Sequence, residues 1–218
     1  MIHFLTTEKT ARIVIEGSDN PELKNIWLIT HGYGHLATYF IRKFSSLKNN
    51  QNLLIVPEAL HRFYLNGVAD KVGASWMTKE EREKEIEDNN KYLSRVYEQY
   101  ISPVNKNICI NVFGFSQGAA VACRWAVASK HKIDNLIIWG SNVPPELTIE
   151  NIESRKNDFH WHYVAGDKDE FISPEKQKEQ VKKLSELGIQ ASTIFYEGYH
   201  DINDSALNLL TQKCVKKL

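Results

Sequence analysis

Short apolar runs alternate along this chain with longer segments whose apolar positions recur every three or four residues. Residues 11–16, 26–30, 53–56, 108–113, 135–139, 161–165 and 192–196 are short and rich in β-branched and aromatic side chains. They predict strands, and several are apolar at nearly every position, as strands covered on both faces must be. Residues 36–47, 79–101, 117–130, 174–187 and 204–217 predict helices. In the second of these, Ile86, Leu93, Tyr97 and Tyr100 line one face against a highly charged opposite face. Ser173-Pro174-Glu175 has the cap-then-proline order of a helix start, and Gly188 supplies the left-handed residue that ends such a helix. This alternation builds an α/β fold, a mostly parallel sheet with helices on both faces. Chemistry in such sheets gathers at the carboxyl ends of the strands.

The strand at 108–113 runs straight into Gly114-Phe115-Ser116-Gln117-Gly118, and Ala119-Ala120-Val121-Ala122 then opens a helix. This is the G-x-S-x-G pattern in the strand–turn–helix setting that it requires. A nucleophile on so tight a turn needs tiny neighbours two residues away on either side. The turn also aims the free N–H groups of a helix N-terminus at a reacting carbonyl. With 11 glycines and 14 serines in 218 residues, random placement gives roughly 0.03 copies of the pattern.

A serine hydroxyl attacks only when a base removes its proton and an acid orients that base. On a sheet of this kind the chain order is Ser, then Asp or Glu, then His. Gly166-Asp167-Lys168-Asp169 leaves a later strand end with two candidate acids, and Glu197-Gly198-Tyr199-His200 leaves the next one with a histidine. His131 follows the Ser116 helix at its far end, whereas His160 and His162 precede the acids within a strand. For the oxyanion, one N–H donor is expected from Gln117, and the second from the Thr30-His31-Gly32-Tyr33-Gly34 loop after an early strand.

Composition narrows the field. The 42% hydrophobic and 25% charged content excludes a disordered chain, and no repeat or linker divides residues 1–218, so one domain is expected. The 27 basic and 27 acidic residues cancel, which argues against a nucleic-acid partner bound through a large phosphate-neutralising surface. Cys109, Cys123 and Cys214 are too few for a disulfide framework and lack metal or redox spacing. An acid, Glu8, interrupts the N-terminus before a signal-peptide core, and no apolar run approaches a membrane span. A cytoplasmic protein with no membrane span is the expectation.

His31-Gly32-Tyr33-Gly34, Pro57-Glu58-Ala59 with Arg62, Ser75-Trp76, Gly114-Phe115-Ser116-Gln117-Gly118, Gly166-Asp167-Lys168-Asp169 and Glu197-Gly198-Tyr199-His200 fall in one order across residues 26–205. In these pieces the chain resembles the phospholipase/carboxylesterase family of α/β-hydrolases, which includes the acyl-protein thioesterases. The resemblance implies an α/β-hydrolase fold with Ser116 as nucleophile, Asp169 as acid and His200 as base. Tyr33 and Gln117 N–H groups would form the oxyanion hole, Asp167 would brace its loop, and Gly32 and Trp76 would lie against substrate. It implies a serine esterase or thioesterase acting on a small-molecule substrate, with no metal or organic cofactor, as a monomer or weak homodimer. A peptidase or lysophospholipase of the same fold, or a non-catalytic ligand-binding homologue, are the alternatives.

The chain departs from the family pattern at Ala119 (usually glycine), at Met77-Thr78 (usually Phe-Asp) and at Trp139 (commonly small). Residues 60–78 carry Phe63, Tyr64, Leu65, Val68, Trp76 and Met77, expected to wall an acyl groove beside Ser116. Trp139 and Tyr33 are expected to shorten that groove, so that short-to-medium acyl groups are preferred.

Overall fold

The computed structural model describes residues 1–104 and 107–214. Among them are the strands β1 (Ile13–Glu16), β2 (Asn25–Thr30), β3 (Asn52–Pro57), β4 (His61–Tyr64), β5 (Val72–Ser75), β6 (Cys109–Phe115), β7 (Asn135–Trp139), β8 (His160–Gly166) and β9 (Ser192–Tyr196). Seven of these form one sheet in the order β1-β3-β2-β6-β7-β8-β9. Only β1 runs antiparallel to its neighbour. β3, β6 and β7 are buried at every position, as their unbroken apolar runs require, whereas the edge strand β1 is only half-buried.

The helices are α1 (Ala37–Phe40), α2 (Arg82–Tyr100), α3 (Gln117–Ala128), α4 (Ile149–Ile152), α5 (Pro174–Glu186) and α6 (Asp204–Lys213). On one face of the sheet α2, α3 and α5 pack Leu93, Val121 and Leu184 over Leu28, Val112 and Ile138. On the other, Phe40, Phe44 and Leu207 cover Trp27, Phe113 and Val164. No helix among the described residues is long and apolar enough to cross a membrane.

Helix ends follow the sequence signals closely. Ser173 Oγ accepts from the N–H of Lys176, and Pro174 opens α5. Gly188 turns left-handed at φ 76°, and the Ile189 N–H returns to the Leu184 carbonyl at 2.9 Å. The helix expected over 36–47 is instead short. It is α-helical only at Ala37–Phe40, then tightens into a 3-10 segment (Ile41–Leu47) bent at Phe44. Phe40, Phe44 and Leu47 are all buried, with Phe44 edge-on to Phe113 at 5.0 Å, so the apolar spacing that predicted a helix is met although the backbone tightens. Residues 215–217 of the last expected helix lie outside the described residues. Residues 60–78 are not an irregular excursion, because β4 and β5 pair antiparallel within them.

At the amino-terminal end of the sheet three polar side chains stand side by side. Asn135 Nδ2 donates to Asn111 Oδ1 at 2.9 Å, and His162 Nε2 bonds Asn135 Oδ1 at 3.0 Å. All three are buried. His162, the histidine that shares a strand with His160, is thus held by an amide. Burial lowers its pKa to about 4, with smaller contributions from His160 and Lys213. His31, also buried, is lowered to about 4 by the same cause.

These two imidazoles protonate near 6.5 in the unfolded chain and near 4 in the folded one. Unfolding between those values therefore takes up protons, so stability is full above 6.5 and falls as the pH drops toward 4. The loss reaches about 3 kcal/mol for each group. Urea unfolding followed across this window should show proton uptake near pH 5 approaching two per molecule from these imidazoles, with a further contribution from His35, whose pKa burial also lowers. A flat stability curve there would contradict the assignment.

Candidate active site

The carboxyl end of β6 turns into α3 through Ser116, whose backbone sits at φ 53° and ψ −122°. Side chains rarely adopt this region, and holding one there costs about 1–3 kcal/mol. Neighbouring backbone fixes it. The Ser116 N–H donates to the Trp139 carbonyl at 2.9 Å, and the Ser116 carbonyl accepts from Ala119 at 3.0 Å. The flanking glycines have no room for a side chain. A Cβ on Gly114 would lie 2.3 Å from Ala119 Cα, and one on Gly118 would lie 2.4 Å from the Thr30 carbonyl oxygen. The spacing read from the sequence is thus a steric requirement, and Ala119 fits it with its own side chain buried.

The same close approach brings the loop after β2 against the start of α3. Thr30 Oγ1 donates to the Gly118 carbonyl at 2.8 Å. His31 Nε2 accepts from the Ala59 N–H at 3.0 Å, which places its proton on Nδ1, where it donates to the Gly32 carbonyl at 2.8 Å. Gly32 lies so close to the Phe115 ring that a Cβ there would be 3.0 Å from Cδ1. The β4–β5 hairpin holds the far side of the loop. Gly34 N–H donates to the Ala74 carbonyl at 2.9 Å, and Ala74 N–H to the His35 carbonyl at 3.1 Å. Among the described residues the N–H groups of Tyr33 and Gln117 have no hydrogen-bond partner. Two unspent donors on adjoining loops beside Ser116 can receive an anionic oxygen.

Asp169 and His200 come together from the loops after β8 and β9, with Oδ2 and Nδ1 2.7 Å apart. The other oxygen of Asp169, Oδ1, accepts from the N–H groups of Phe171 (2.9 Å) and Ile172 (3.0 Å). Asp167 turns elsewhere and accepts from the Gly198 N–H at 3.0 Å. Its own N–H donates to the Tyr196 carbonyl at 2.9 Å, so it ties the two loops to each other. His200 lies between the rings of Phe115 and Phe171, each 4.8 Å away.

Gly140, at φ 56°, closes the gap between serine and histidine. A Cβ there would lie 3.2 Å from His200 Cε1 and 3.5 Å from Asp169 Oδ2. The residue before it, Trp139, is the one that bonds Ser116. The structure thus gathers Ser116, Asp169, His200, Tyr33 and Gln117 at one end of the sheet.

The sequence matches the profile of the phospholipase/carboxylesterase family over residues 10–215. The chain belongs to the phospholipase/carboxylesterase family. No curated protein matches it. Its fold is that of the α/β-hydrolases and is similar to several solved structures. One is Zea mays acyl-protein thioesterase 2, with TM-score 0.73 and 15% identity, covering 94% of this chain and 97% of that one. A second is the esterase PE8, with TM-score 0.70 and 17% identity, covering 95% and 100%. A third is a phospholipase/carboxylesterase from Dyadobacter fermentans, with TM-score 0.69 and 19% identity, covering 97% and 99%.

Within this phospholipase/carboxylesterase fold, two expectations require correction. Trp76 was expected to wall a groove, but it is fully buried, and its Nε1–H donates to the His31 carbonyl at 2.8 Å. Trp139 is expected to shorten that groove, but it too is fully buried, against Phe113 and Tyr196. Each indole has its N–H drawn inward by a carbonyl. Sequence reasoning also missed the side chain of Gln117, which accepts from the Trp76 N–H at 3.0 Å and donates to the Met77 carbonyl at 2.8 Å. The available signal was the glutamine in Gly-Phe-Ser-Gln-Gly, where the bare pattern allows any residue. Gly140, directly after a strand end, was a second.

Trp76→Phe removes the N–H that holds His31 and leaves a buried carbonyl unpaired, at about 1–3 kcal/mol. Turnover of acetyl and octanoyl esters should fall by the same factor, measured as kcat for each. A loss confined to octanoyl would restore Trp76 as a groove wall.

Proposed function

We propose that this protein is a serine hydrolase that cleaves carboxylic esters or thioesters through an acyl-enzyme intermediate. The observation that carries the reading is the 2.7 Å contact between Asp169 and His200, beside a serine held in a strained backbone turn. Family membership and the esterase and thioesterase identities of the structural neighbours support it.

In this reading the Asp169 carboxylate accepts a hydrogen bond from the Nδ1–H of His200, which leaves the Nε2 lone pair to take the hydroxyl proton of Ser116 and stabilises the imidazolium that results. Ser116 Oγ attacks the acyl carbon, and the carbonyl electron pair moves onto oxygen, stabilised by the Tyr33 and Gln117 N–H groups. Each such donor contributes about 3–4 kcal/mol. As the tetrahedral species collapses, the Nε2 proton passes to the leaving alkoxide or thiolate. Water then repeats the sequence against the acyl-enzyme and releases the acid. Gly32, lacking a side chain beside Phe115, keeps the chain close to the bound acyl group. Tyr33 and Phe63, with ring centroids 5.0 Å apart, form the aromatic rim on that side.

Ser116→Ala should abolish turnover and labelling by a fluorophosphonate probe while leaving the circular dichroism spectrum unchanged. Labelling that persists would end the assignment. Asp169→Asn should cost about a thousandfold or more in kcat, because the imidazole loses the acceptor for its Nδ1 proton. Asp167→Asn keeps an oxygen for Gly198 and should cost much less. Esters and thioesters of increasing acyl length, assayed beside a lysophospholipid and a peptide amide, identify the preferred acyl and leaving groups. The amide is expected to be slowest.

A further inference from the structure

Trp139 touches the site from two sides. Its carbonyl oxygen accepts from the Ser116 N–H at 2.9 Å. Its indole Nε1–H reaches in the other direction, to the Asp201 carbonyl at 3.0 Å and Tyr196 Oη at 3.2 Å. Tyr196 Oη lies 2.5 Å from the same Asp201 carbonyl and 3.2 Å from that of Tyr199. The backbone on both sides of His200 is therefore tied down from beneath, by an indole and a phenol that are themselves in contact.

The histidine loop is also tied to the acid loop, through Asp167 and Lys168 at Gly198 and through Asp169 at His200. The His200 N–H donates to Glu170 Oε2 at 3.2 Å, and Lys43 Nζ pairs with Asp201 Oδ1 at 2.5 Å, both through exposed side chains. The indole donor is fully buried instead, while its acceptor belongs to the exposed Asp201, so water competes less for this bond than for the two above. Gly140 adds the reason that position matters. With only 3.2 Å between its Cβ site and His200 Cε1, the imidazole already sits against the backbone that follows Trp139. A small displacement of the loop changes the separation of serine and base directly, and misplacement of about 1 Å can cost a hundredfold in rate.

We infer that Trp139 is a positioning residue, one that sets the distance between Ser116 and His200 by hydrogen-bonding to both of the loops that carry them. This rests on the reading of Ser116, Asp169 and His200 as the catalytic machinery. The carbonyl bond to Ser116 survives any substitution, so the side chain's part is isolated in its bond to Asp201. Tyr196 is the second donor to that carbonyl and shares the role.

Trp139→Phe keeps an aromatic face toward Phe113 and Tyr196 while deleting the N–H. Steady-state kinetics should be measured well below the unfolding temperature of the variant, on an ethyl ester and a p-nitrophenyl ester of the same acid. The ethoxide leaving group needs the proton from His200 Nε2, whereas p-nitrophenolate departs without it. A displaced imidazole therefore lowers kcat/KM, which reports acylation and not the deacylation shared by both esters, by about tenfold or more for the ethyl ester, with a smaller loss for the p-nitrophenyl ester. Mere loosening of the core would lower the unfolding temperature without separating the two esters.

Should Trp139→Phe not fold, Tyr196→Phe tests the same point from the other donor. In the double variant the two losses should combine to less than their product, since both act on one carbonyl. Equal effects on the two esters, or a kcat/KM within twofold of wild type in the folded variants, overturn the inference. Wild-type protein without esterase activity, or an active Ser116→Ala variant, would instead overturn the catalytic reading beneath it.

Discussion

The backbone of Ser116 is bent into a region that only glycine adopts freely, and the sheet must supply what keeps it there. It does so through parallel pairing. β6 lies between β2 and β7, so the turn at its carboxyl end has the Thr30-His31 backbone on one side and the Trp139 carbonyl on the other. Gly114 and Gly118 let these backbones close to distances that no side chain allows. The compaction that holds the serine also brings the Tyr33 and Gln117 N–H groups onto adjoining loops. Strain, donor placement and helix start are consequences of one packed turn.

Around that turn the histidine and acid loops form a unit of their own. Asp167 and Lys168 bond the backbone of Tyr196 and Gly198, and Asp169 bonds His200. The unit meets the serine turn at Trp139-Gly140, where the backbone is left-handed and the clearance is that of a missing side chain. Polar contacts at this end of the sheet are short and carry direction. At the opposite end, Asn111, Asn135 and His162 are buried and bonded in series through Asn135, with His162 Nδ1 left unpartnered.

The sequence by itself determined the strands of the main sheet and the long helices and singled out the turn at Ser116, because each rests on interactions short in sequence, whereas His200 was read from chain order. Apolar runs declare doubly covered strands, and Ser173-Pro174 and Gly188 mark helix ends through bonds within one turn. The glycines about Ser116 act within two residues of it. Tertiary structure alone decided the rest. An indole is equally apolar beside a groove or inside a core, so Trp76 and Trp139 could be sorted only by the carbonyls of His31 and Asp201 that capture their N–H groups. Asp167 and Asp169 are two residues apart and alike in local pattern; the family resemblance favours Asp169, and the paths of two loops point one carboxylate at Gly198 and the other at His200. The β4–β5 hairpin was hidden for the same reason. Its outer partner is the loop at Gly34-His35, and pairing between segments so distant leaves no local pattern to read.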